Sequence, residues 1–502
     1  MDERQLNMTA GQPMKLLFSF ALPLMFGSIF QQLYTVVDVA IVGRGVGMTA
    51  LAALGTVDWL NWMLFGIAQG FTQGFAIRMS QKYGEGDEEG LRLVLGQSAR
   101  LCLWLAVVAI VISQGGLHMF FWLLRVPHEL YPLAELYTRI LMAGMPISVL
   151  YNYTASVLRA VGDSRTPLKA MTVASLSNIV LDCIAVFVLD WGIAGAAGAT
   201  VLAQCLAAAV CALKMARTEN LRFRREHMVS DKAISRGLIG LGAPITLKIA
   251  IIAFGGMIIQ SVVNSFDMAF IAGFTASNKL FGLLEIAAMS YGFAITTYVG
   301  QNYGAGQLNR ITLGIRHGLV LSLVTSVIIC VLMLVFGQDI TMLFISSDSP
   351  ELVSKAGEVA YLYLAAMSLS LPMLYILYVY QSALQGVGNT FMTMVSGGLE
   401  FVIRVIGSAI VVSTGVAYGI FIAEVAAWFG AAGFLTFTFY RHFNKIKKEL
   451  GSLSLRAEFF VVSVSIGVSA VPVPCVCNDG FQSADGAPTK NLCSFVVQNI
   501  SA

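Results

Sequence analysis

The chain has 502 residues, of which 57% are hydrophobic and only 12% are charged, and its mean hydropathy is +0.77. Soluble proteins carry about a quarter charged residues, so this composition excludes a soluble enzyme, a disordered chain and an extracellular disulfide module. The net charge of +3 is too small to indicate a nucleic-acid partner. The composition therefore predicts an all-α, polytopic membrane protein.

Twelve apolar stretches are long enough to cross a bilayer, since a spanning helix needs about 20 apolar residues. They occupy residues 15–42, 51–77, 93–115, 131–157, 166–189, 193–214, 238–263, 270–299, 312–336, 356–384, 391–413 and 415–440. Pro146 and Pro372 lie inside the fourth and tenth stretches and predict kinks there. The polar start MDERQLN and the long first stretch do not fit a cleavable signal peptide, and we expect none.

The Lys and Arg residues are distributed unevenly between the two sides of the twelve stretches. If the N-terminus is cytoplasmic, 21 of them fall in cytoplasmic segments, whereas three, Arg44, Arg125 and Lys355, fall in outside loops. Cytoplasmic loops of membrane proteins carry an excess of Lys and Arg. The charges therefore predict that both ends of the helix bundle are cytoplasmic.

The longest polar interruption, residues 214–237, is basic and follows the sixth stretch. It predicts a cytoplasmic linker between an N-terminal lobe, residues 1–213, and a C-terminal lobe, residues 238–448. Residues 449–502 form an extension of unknown role.

The extension has an apolar part, residues 459–471, which is too short to span a bilayer. Its cysteines, Cys475, Cys477 and Cys493, lack the spacing of metal ligands. We assign the extension no function.

Three motifs of the first half recur in the same order in the second half, at a nearly constant offset. They are QKYGEG at 81–86 with QNYGAG at 301–306, the prolines at 23 and 244, and SVLRAVGD at 156–163 with SALQGVGN at 382–389. Because each half has six spans, both halves enter the membrane from the same side. The repeat therefore predicts two parallel six-helix lobes with a pseudo-twofold axis along the membrane normal, and a site between them.

A parallel repeat of six plus six spans is typical of a secondary transporter. The sequence has no GxxxxGK[ST] loop for nucleotide phosphates. Neither a filter-like loop nor a ring of identical charges indicates a channel. We therefore expect transport without catalysis and without a cofactor.

Several motifs in chain order resemble those of the multidrug and toxic compound extrusion (MATE) transporters, over about residues 12–448. They are ALP at 21–23, VDVAIVGR at 37–44, LAALG at 51–55, LRAVGDSRTP at 158–167, NIVLD at 178–182 and GIAGAAGAT at 192–200. Asp38, Asn178 and Asp182 are similar to the DinF-like branch, and EFVIR at 400–404 is similar to its bacterial MepA-like members. The resemblance implies export of cationic or amphipathic organic compounds from a bacterial cytoplasmic (inner) membrane, in exchange for H⁺ or Na⁺, by alternating access.

Four polar residues of the first half are the candidates for ion coupling, because ionisable side chains are costly inside a bilayer. Asn178 and Asp182 lie four residues apart and face the same side of one helix. At a rise of about 1.5 Å per residue, Asp38 and Thr200 fall in the same outer half of the membrane. Two neighbouring buried carboxylates disfavour each other's ionisation, so one can bind and release a proton near neutral pH. Alternatively, the four side chains form an oxygen site for Na⁺, or Asp38 is only a helix-end residue near the headgroups.

Six charged residues lie in apolar stretches of the second half, where we expect them to be buried. They are Lys248, Lys279, Glu285, Glu400, Arg404 and Glu424. Glu400 and Arg404 lie four residues apart, which predicts a structural ion pair, with ion coupling or substrate binding as the alternative. Lys248 or Lys279 would neutralise Glu285, unless a cationic substrate competes for the acids.

Aromatic, Met and amide side chains are expected to line an adaptable substrate cavity, with ordinary packing as the alternative for each. The candidates are Met25, Tyr34, Met145, Tyr151, Asn152, Met257, Met289, Tyr375 and Tyr378.

Two other functions stay open from the sequence alone. A lipid-linked oligosaccharide flippase of the same superfamily would need a cavity rich in Arg and Lys, whereas the N-terminal candidates are acidic. A membrane-embedded prenyltransferase would need DDxxD motifs for diphosphate and Mg²⁺, and this sequence has none. In the favoured interpretation the chain is a monomer whose partners are small organic cations or amphiphiles and the lipid bilayer.

Overall fold

The computed structural model of the chain describes residues 6–123, 126–342 and 350–465, where all of the regular structure is helical. The α-helices in these ranges are α1 (Pro13–Gly45), α2 (Met48–Glu85), α3 (Glu88–Gly115), α4 (Leu117–Leu123), α5 (Tyr131–Ala143), α6 (Met145–Ala160), α7 (Arg165–Cys183), α8 (Gly192–Arg217), α9 (Lys232–Val263), α10 (Met268–Gly304), α11 (Leu308–Met342), α12 (Pro350–Gly386), α13 (Thr390–Thr414) and α14 (Gly419–Ser465). Arg125 and the cysteines Cys475, Cys477 and Cys493 lie outside the described residues.

Ten of these helices are long and apolar enough to cross a membrane, and the count within the described ranges reaches twelve when each of two bent pairs is one span. The α5–α6 pair bends by 45° at Gly144. Pro146 lies in the first turn of α6, where a helix does not use the N–H donor that proline lacks. The kink predicted at Pro146 is thus confirmed. At Pro372 the helix is not broken, since α12 runs without interruption from Pro350 to Gly386. The predicted all-helical membrane fold is confirmed.

We refer to α1–α8 as the N-terminal lobe and to α9–α14 as the C-terminal lobe. The segment between them is shorter than residues 214–237, because α8 ends at Arg217 and α9 begins at Lys232. Asp231 caps α9, since its carboxylate accepts hydrogen bonds from the backbone N–H groups of Ala233 (2.8 Å) and Ile234 (3.0 Å). The connecting segment lies against α3, where Gln97 donates to the carbonyl of His227 (2.9 Å).

Glycines let α2 of one lobe pack closely against α9 of the other. A β-carbon added to Gly74 would overlap the backbone of Gly242, and one added to Gly70 would overlap the backbone of Thr246. Small residues at helix contacts allow the backbones this approach in a membrane. The two lobes therefore meet along a tight seam in this part of the bundle.

The seam continues to the end of the bundle at which α2 and α10 finish, which we call the closed end. A β-carbon on Gly84 would overlap the carbonyl of Gln301, and one on Gly304 would overlap the carbonyl of Gln81. Gly84 and Gly304 are equivalent positions of the QKYGEG and QNYGAG motifs. The repeat therefore brings its own two copies into reciprocal contact.

The two glutamines of these motifs also make reciprocal hydrogen bonds across the seam. Gln81 Nε2 donates to the carbonyl of Gly386 (3.0 Å), and Gln301 Nε2 donates to the carbonyl of Ala160 (2.8 Å). Ala160 and Gly386 are themselves equivalent positions, the fifth in the SVLRAVGD and SALQGVGN motifs. We call this pair of hydrogen bonds the glutamine clamp.

The N-terminal segment lies across the closed end and joins both lobes. The N–H of Leu6 donates to the carbonyl of Gly162 (3.2 Å) in the N-terminal lobe. The N–H of Met8 donates to Gln301 Oε1 (3.0 Å), and Arg310 donates to the carbonyl of Gly11 (3.1 Å), both in the C-terminal lobe. Met8, which belongs to this segment, is fully buried.

Towards the other ends of α2 and α10, which we call the open end, both helices carry exposed residues. The face of α2 that carries Gly74 and Gly66 at the seam continues to Trp62 and Asp58, and both are exposed. On α10, Lys279 and Met289 are likewise exposed. We call the region between these exposed residues of α2 and α10 the cleft.

Candidate functional site

The four ion-coupling candidates come together in the N-terminal lobe, towards the open end. Asp38 lies on α1, Asn178 and Asp182 on α7, and Thr200 on α8. The side chains of Asp38, Asn178 and Asp182 are buried. The carboxyl groups of Asp38 and Asp182 act on each other electrostatically, and Asn178 Nδ2 donates to Thr200 Oγ1 (3.4 Å). Three helices therefore converge on one polar cluster, which we call the aspartate site.

The backbone of α7 changes its winding beside the aspartate site. The α-helix ends at Cys183, and a π-helical turn follows at Ile184–Val188. Such turns are rare and occur frequently at functional sites. The turn comes directly after Asp182, so this carboxyl lies where the regular helix ends.

The aspartate site has more acceptors than donors. Both carboxylate oxygens of Asp182, Oδ1 of Asp38 and Oδ1 of Asn178 have no hydrogen-bond donor within the described part of the chain. No Lys, Arg or His there forms an ion pair with Asp38 or Asp182. Two facing carboxyl groups without a cationic partner can share a proton or coordinate a small cation through hard oxygen atoms.

Sequence reasoning missed two residues around the aspartate site. The buried Tyr137 of α5 interacts electrostatically with Asp38, Asp182 and Asp58. Asp58 lies on α2 at the wall of the cleft, where Lys279 of the other lobe acts on it. Only the charge of Asp58 within an apolar stretch was a usable signal. Tyr137 gave none, because its neighbours come from other helices.

The C-terminal lobe holds a network of opposite charges. Glu400 Oε2 lies 4.0 Å from Arg404 Nη2, and Glu400 Oε1 lies 4.0 Å from Lys248 Nζ. Arg404 Nε is closer to Glu424 Oε1, at 3.4 Å. Lys248 also donates to the side chain of Gln381. Glu400 therefore holds two cations together instead of forming a simple pair with Arg404.

Lys248 lies closest to Glu400 and also acts electrostatically on Glu285, which accepts a hydrogen bond from Tyr378. One expectation for this lobe is wrong. Lys279 is exposed and not buried, since it lies on the part of α10 that has left the seam. Which face a helix turns to its neighbours depends on the packing of the whole bundle, and spacing along the sequence does not supply it.

Replacing Glu400 with Gln is expected to lower the free energy of unfolding by about 3–5 kcal/mol, because it leaves two buried cations with one acid. Thermal unfolding in detergent measures the loss. Glu351→Gln is the matched control, since it removes an exposed acid from its pair with Lys355 and should leave the unfolding temperature unchanged. An unchanged unfolding temperature in Glu400→Gln as well would contradict a structural role for the network.

The cavity candidates have different surroundings. Met145 and Tyr375 were expected at the cavity but are fully packed core residues, and the Tyr375 hydroxyl donates to the carbonyl of Leu284 (3.0 Å). Asn152 donates to the carbonyl of Ser148 on its own helix (2.9 Å). Met289 is exposed at the cleft. The remaining candidates are partly buried: Met25, Tyr34, Tyr151, Met257 and Tyr378.

Comparison with known proteins adds to this geometry. The MatE family model matches residues 23–184 and 244–410, more than half of the chain. The chain is 29% identical over 340 residues to the probable multidrug resistance protein YpnP of Bacillus subtilis, covering 68% of this chain and 76% of that protein. It is 22% identical over 453 residues to the multidrug export protein MepA of Staphylococcus haemolyticus, covering 90% and 99%. A solved MOP superfamily transporter from Pyrococcus furiosus has the same fold, with a TM-score of 0.82 at 22% identity over 88% of this chain and 98% of that one.

Proposed function

This chain belongs to the MATE family of efflux transporters, and we propose that it is a secondary antiporter that exports cationic or amphipathic organic compounds in exchange for H⁺ or Na⁺. YpnP and MepA, to which it is similar, carry names that describe multidrug resistance and export. The proposal places the exchanged ion at Asp38, Asn178, Asp182 and Thr200.

The observation that carries this proposal is the contrast between the two lobes. In the register that aligns SVLRAVGD with SALQGVGN, Arg404 of the C-terminal lobe is equivalent to Asn178 of the N-terminal lobe. The C-terminal position is occupied by the protein's own cation, which pairs with Glu400 and Glu424. The aspartate site has acids and no such cation within the described ranges. An external proton or Na⁺ can therefore bind there and leave again.

Helix α1 is the element that can transmit binding of the ion to the seam. Its first half packs into the core of the C-terminal lobe, through Leu17, Phe20 and Leu24. Its second half packs in the N-terminal lobe, through Ile41 and Val42 beside Asp38. Neutralising the repulsion between Asp38 and Asp182 changes how the second half packs. Pro23, within the first half, lacks the N–H donor of a regular helical hydrogen bond and makes α1 easier to bend there.

The distribution of Lys and Arg supports placing the closed end in the cytoplasm of a bacterium, with the cleft open to the outside. In that orientation we infer an outward-facing state, in which the exchanged ion reaches the aspartate site from outside. Ion binding then favours release of the seam and opening towards the cytoplasm. The chain acts as a monomer in this scheme, because each chain contains both lobes.

Efflux in a bacterium that lacks its own drug pumps tests the proposal. Cells that express the protein are expected to accumulate less ethidium and norfloxacin than cells with an empty vector. Collapse of the proton gradient should abolish this difference if H⁺ is exchanged, and removal of Na⁺ should abolish it if Na⁺ is exchanged. Equal accumulation of every cationic dye in both strains would contradict drug export and favour the oligosaccharide flippase.

A further inference from the structure

A cavity of about 20 Å³ lies in the seam, on the membrane side of the glutamine clamp. This volume holds about one water molecule. Both lobes contribute to its wall. The polar and aromatic residues that matter for its chemistry are Gln73, Ser80, Ser156 and Arg159 from the N-terminal lobe, and Phe293 and Thr297 from the C-terminal lobe.

Arg159 is the charged residue of this cavity, and no carboxylate compensates it within the described chain. Its guanidinium lies over the ring of Phe293, 4.7 Å from the ring centre, and donates one hydrogen bond, to Ser156 Oγ (2.8 Å). The neighbours that act on it electrostatically are Tyr151 and Cys211. An ordinary phenol and thiol are both neutral near pH 7, and a guanidinium has five N–H donors. Most of the hydrogen-bonding capacity of Arg159 is therefore unused.

The internal repeat allows the contact of Arg159 with Phe293 to be compared with an equivalent contact between two neutral residues. Arg159 is equivalent to Gln385 in the register of SVLRAVGD and SALQGVGN, and Phe293 is equivalent to Gln73 in the register of QKYGEG and QNYGAG. Gln73 Nε2 donates to Gln385 Oε1 across the seam (3.3 Å). The repeat thus makes the same contact twice, once between two neutral amides and once between a cation and an aromatic ring. A neutral pair is sufficient to close the seam, so closure alone does not require the charge of Arg159.

The cavity is connected to the part of the seam that must separate for transport. The Thr297 hydroxyl donates to the carbonyl of Arg159 (3.3 Å), and the neighbouring carbonyl of Ala160 accepts from Gln301. When the closed end opens, these bonds and the contact with Phe293 break together. Arg159 then lies uncovered at the cytoplasmic entrance, with its donors free.

We propose that Arg159 binds an anionic group of the exported compound, a carboxylate or phosphate oxygen, when the closed end is open. This inference rests on the proposed function and adds a substrate class to it: compounds that carry an acid beside their cationic or apolar part, in addition to compounds without an acid. A guanidinium binds two carboxylate oxygens at once in a fixed geometry. Closing the seam returns Phe293 to the guanidinium and reduces the cavity to the volume of one water. The acid is then displaced towards the cleft.

A matched pair of substrates tests the proposal: norfloxacin, which has a free carboxylate, and its ethyl ester, which has none. In whole-cell efflux, Arg159→Gln is expected to lower norfloxacin export about tenfold, the loss of a charge-assisted contact. Export of the ester and of ethidium should stay at the wild-type level. Arg159→Lys should retain most norfloxacin export. Arg165→Gln, which removes an exposed arginine at the start of the next helix, should change nothing.

Other outcomes would overturn the assignment. Equal losses for norfloxacin and its ester in Arg159→Gln would show that the arginine acts on the fold or on closure. Unchanged norfloxacin export would show that it does not contact the acid. If Arg159 instead holds a free anion, replacing chloride by gluconate in proteoliposomes would lower export of both compounds alike. A wild-type protein that exports none of the three compounds would contradict the proposed function itself and not this assignment.

Discussion

Replacing Asp182 with Asn is expected to reduce drug efflux to the level of cells that lack the transporter, while the protein stays in the membrane. The substitution keeps the shape of the side chain but removes the charge that, in our proposal, binds the exchanged ion. Asp182 is fully buried and faces Asp38, with no cationic partner in the described chain. The neutral amide does not repel the Asp38 carboxylate. Ion binding then relieves no repulsion and does not change how α1 packs.

The matched control is Asp190→Asn, which removes an acid from the loop that follows the same helix. Asp190 is exposed and has a φ of 52°, a conformation that Asn adopts readily. We expect this variant to export ethidium as the wild type does. Immunoblots of the membrane fraction establish that both variants are inserted. Undiminished resistance in Asp182→Asn would contradict the assignment.

A second comparison tests whether Asp38 and Asp182 bind the exchanged ion together. If Asp38 and Asp182 bind the ion as one unit, Asp38→Asn should be as inactive as Asp182→Asn, and the double variant should be no worse than either. Proteoliposomes that contain a pH dye or radioactive Na⁺ measure the ion flux directly. Drug-stimulated ion flux should be absent from all three variants. Flux that persists in Asp182→Asn would place the ion elsewhere.

The fold was predictable from the sequence because a bilayer imposes strong local requirements. Each span needs about 20 apolar residues whatever it packs against. The kink at Pro146 depends on proline chemistry within one helix. The reciprocal contacts of the 81–86 and 301–306 motifs involve the residues that the repeat singled out. The repeat did not predict which atoms meet in that contact, namely Gly84 and the backbone carbonyl of Gln301.

The candidate sites were predictable only where one helix supplies the pattern. Asn178 and Asp182 share a face because they lie one helical turn apart, and the length of α1 sets the depth of Asp38. The partner of Lys248 depends on how α9 and α13 are rotated against each other. Gly397 provides the room that the stem of Lys248 occupies. Tyr137 joined the aspartate site through packing of this kind, between helices far apart in sequence.

Replacing Gly84 with Val is expected to abolish transport, because the closed end can no longer close. The added side chain would overlap the backbone carbonyl of Gln301, which cannot move aside without breaking the glutamine clamp. The contact is reciprocal, so Gly304→Val should have the same effect, because the added side chain would overlap the backbone carbonyl of Gln81. Overpacking of a tight contact typically costs about 1–3 kcal/mol, which shifts the balance between two conformations by about 5- to 150-fold.

Spin labels on Glu85 and Ala305, equivalent positions at the ends of α2 and α10, measure this opening as a distance distribution. Labels on the wild type should report a population with the two helix ends close together, and Gly84→Val should move that population to longer distances. Gly433→Val is the control, because a β-carbon at Gly433 meets no neighbouring atom within 4 Å. It should leave both the distances and ethidium efflux unchanged. If Gly84→Val kept the short distance and the efflux of the wild type, the contact between the two motifs would not be what seals the closed end.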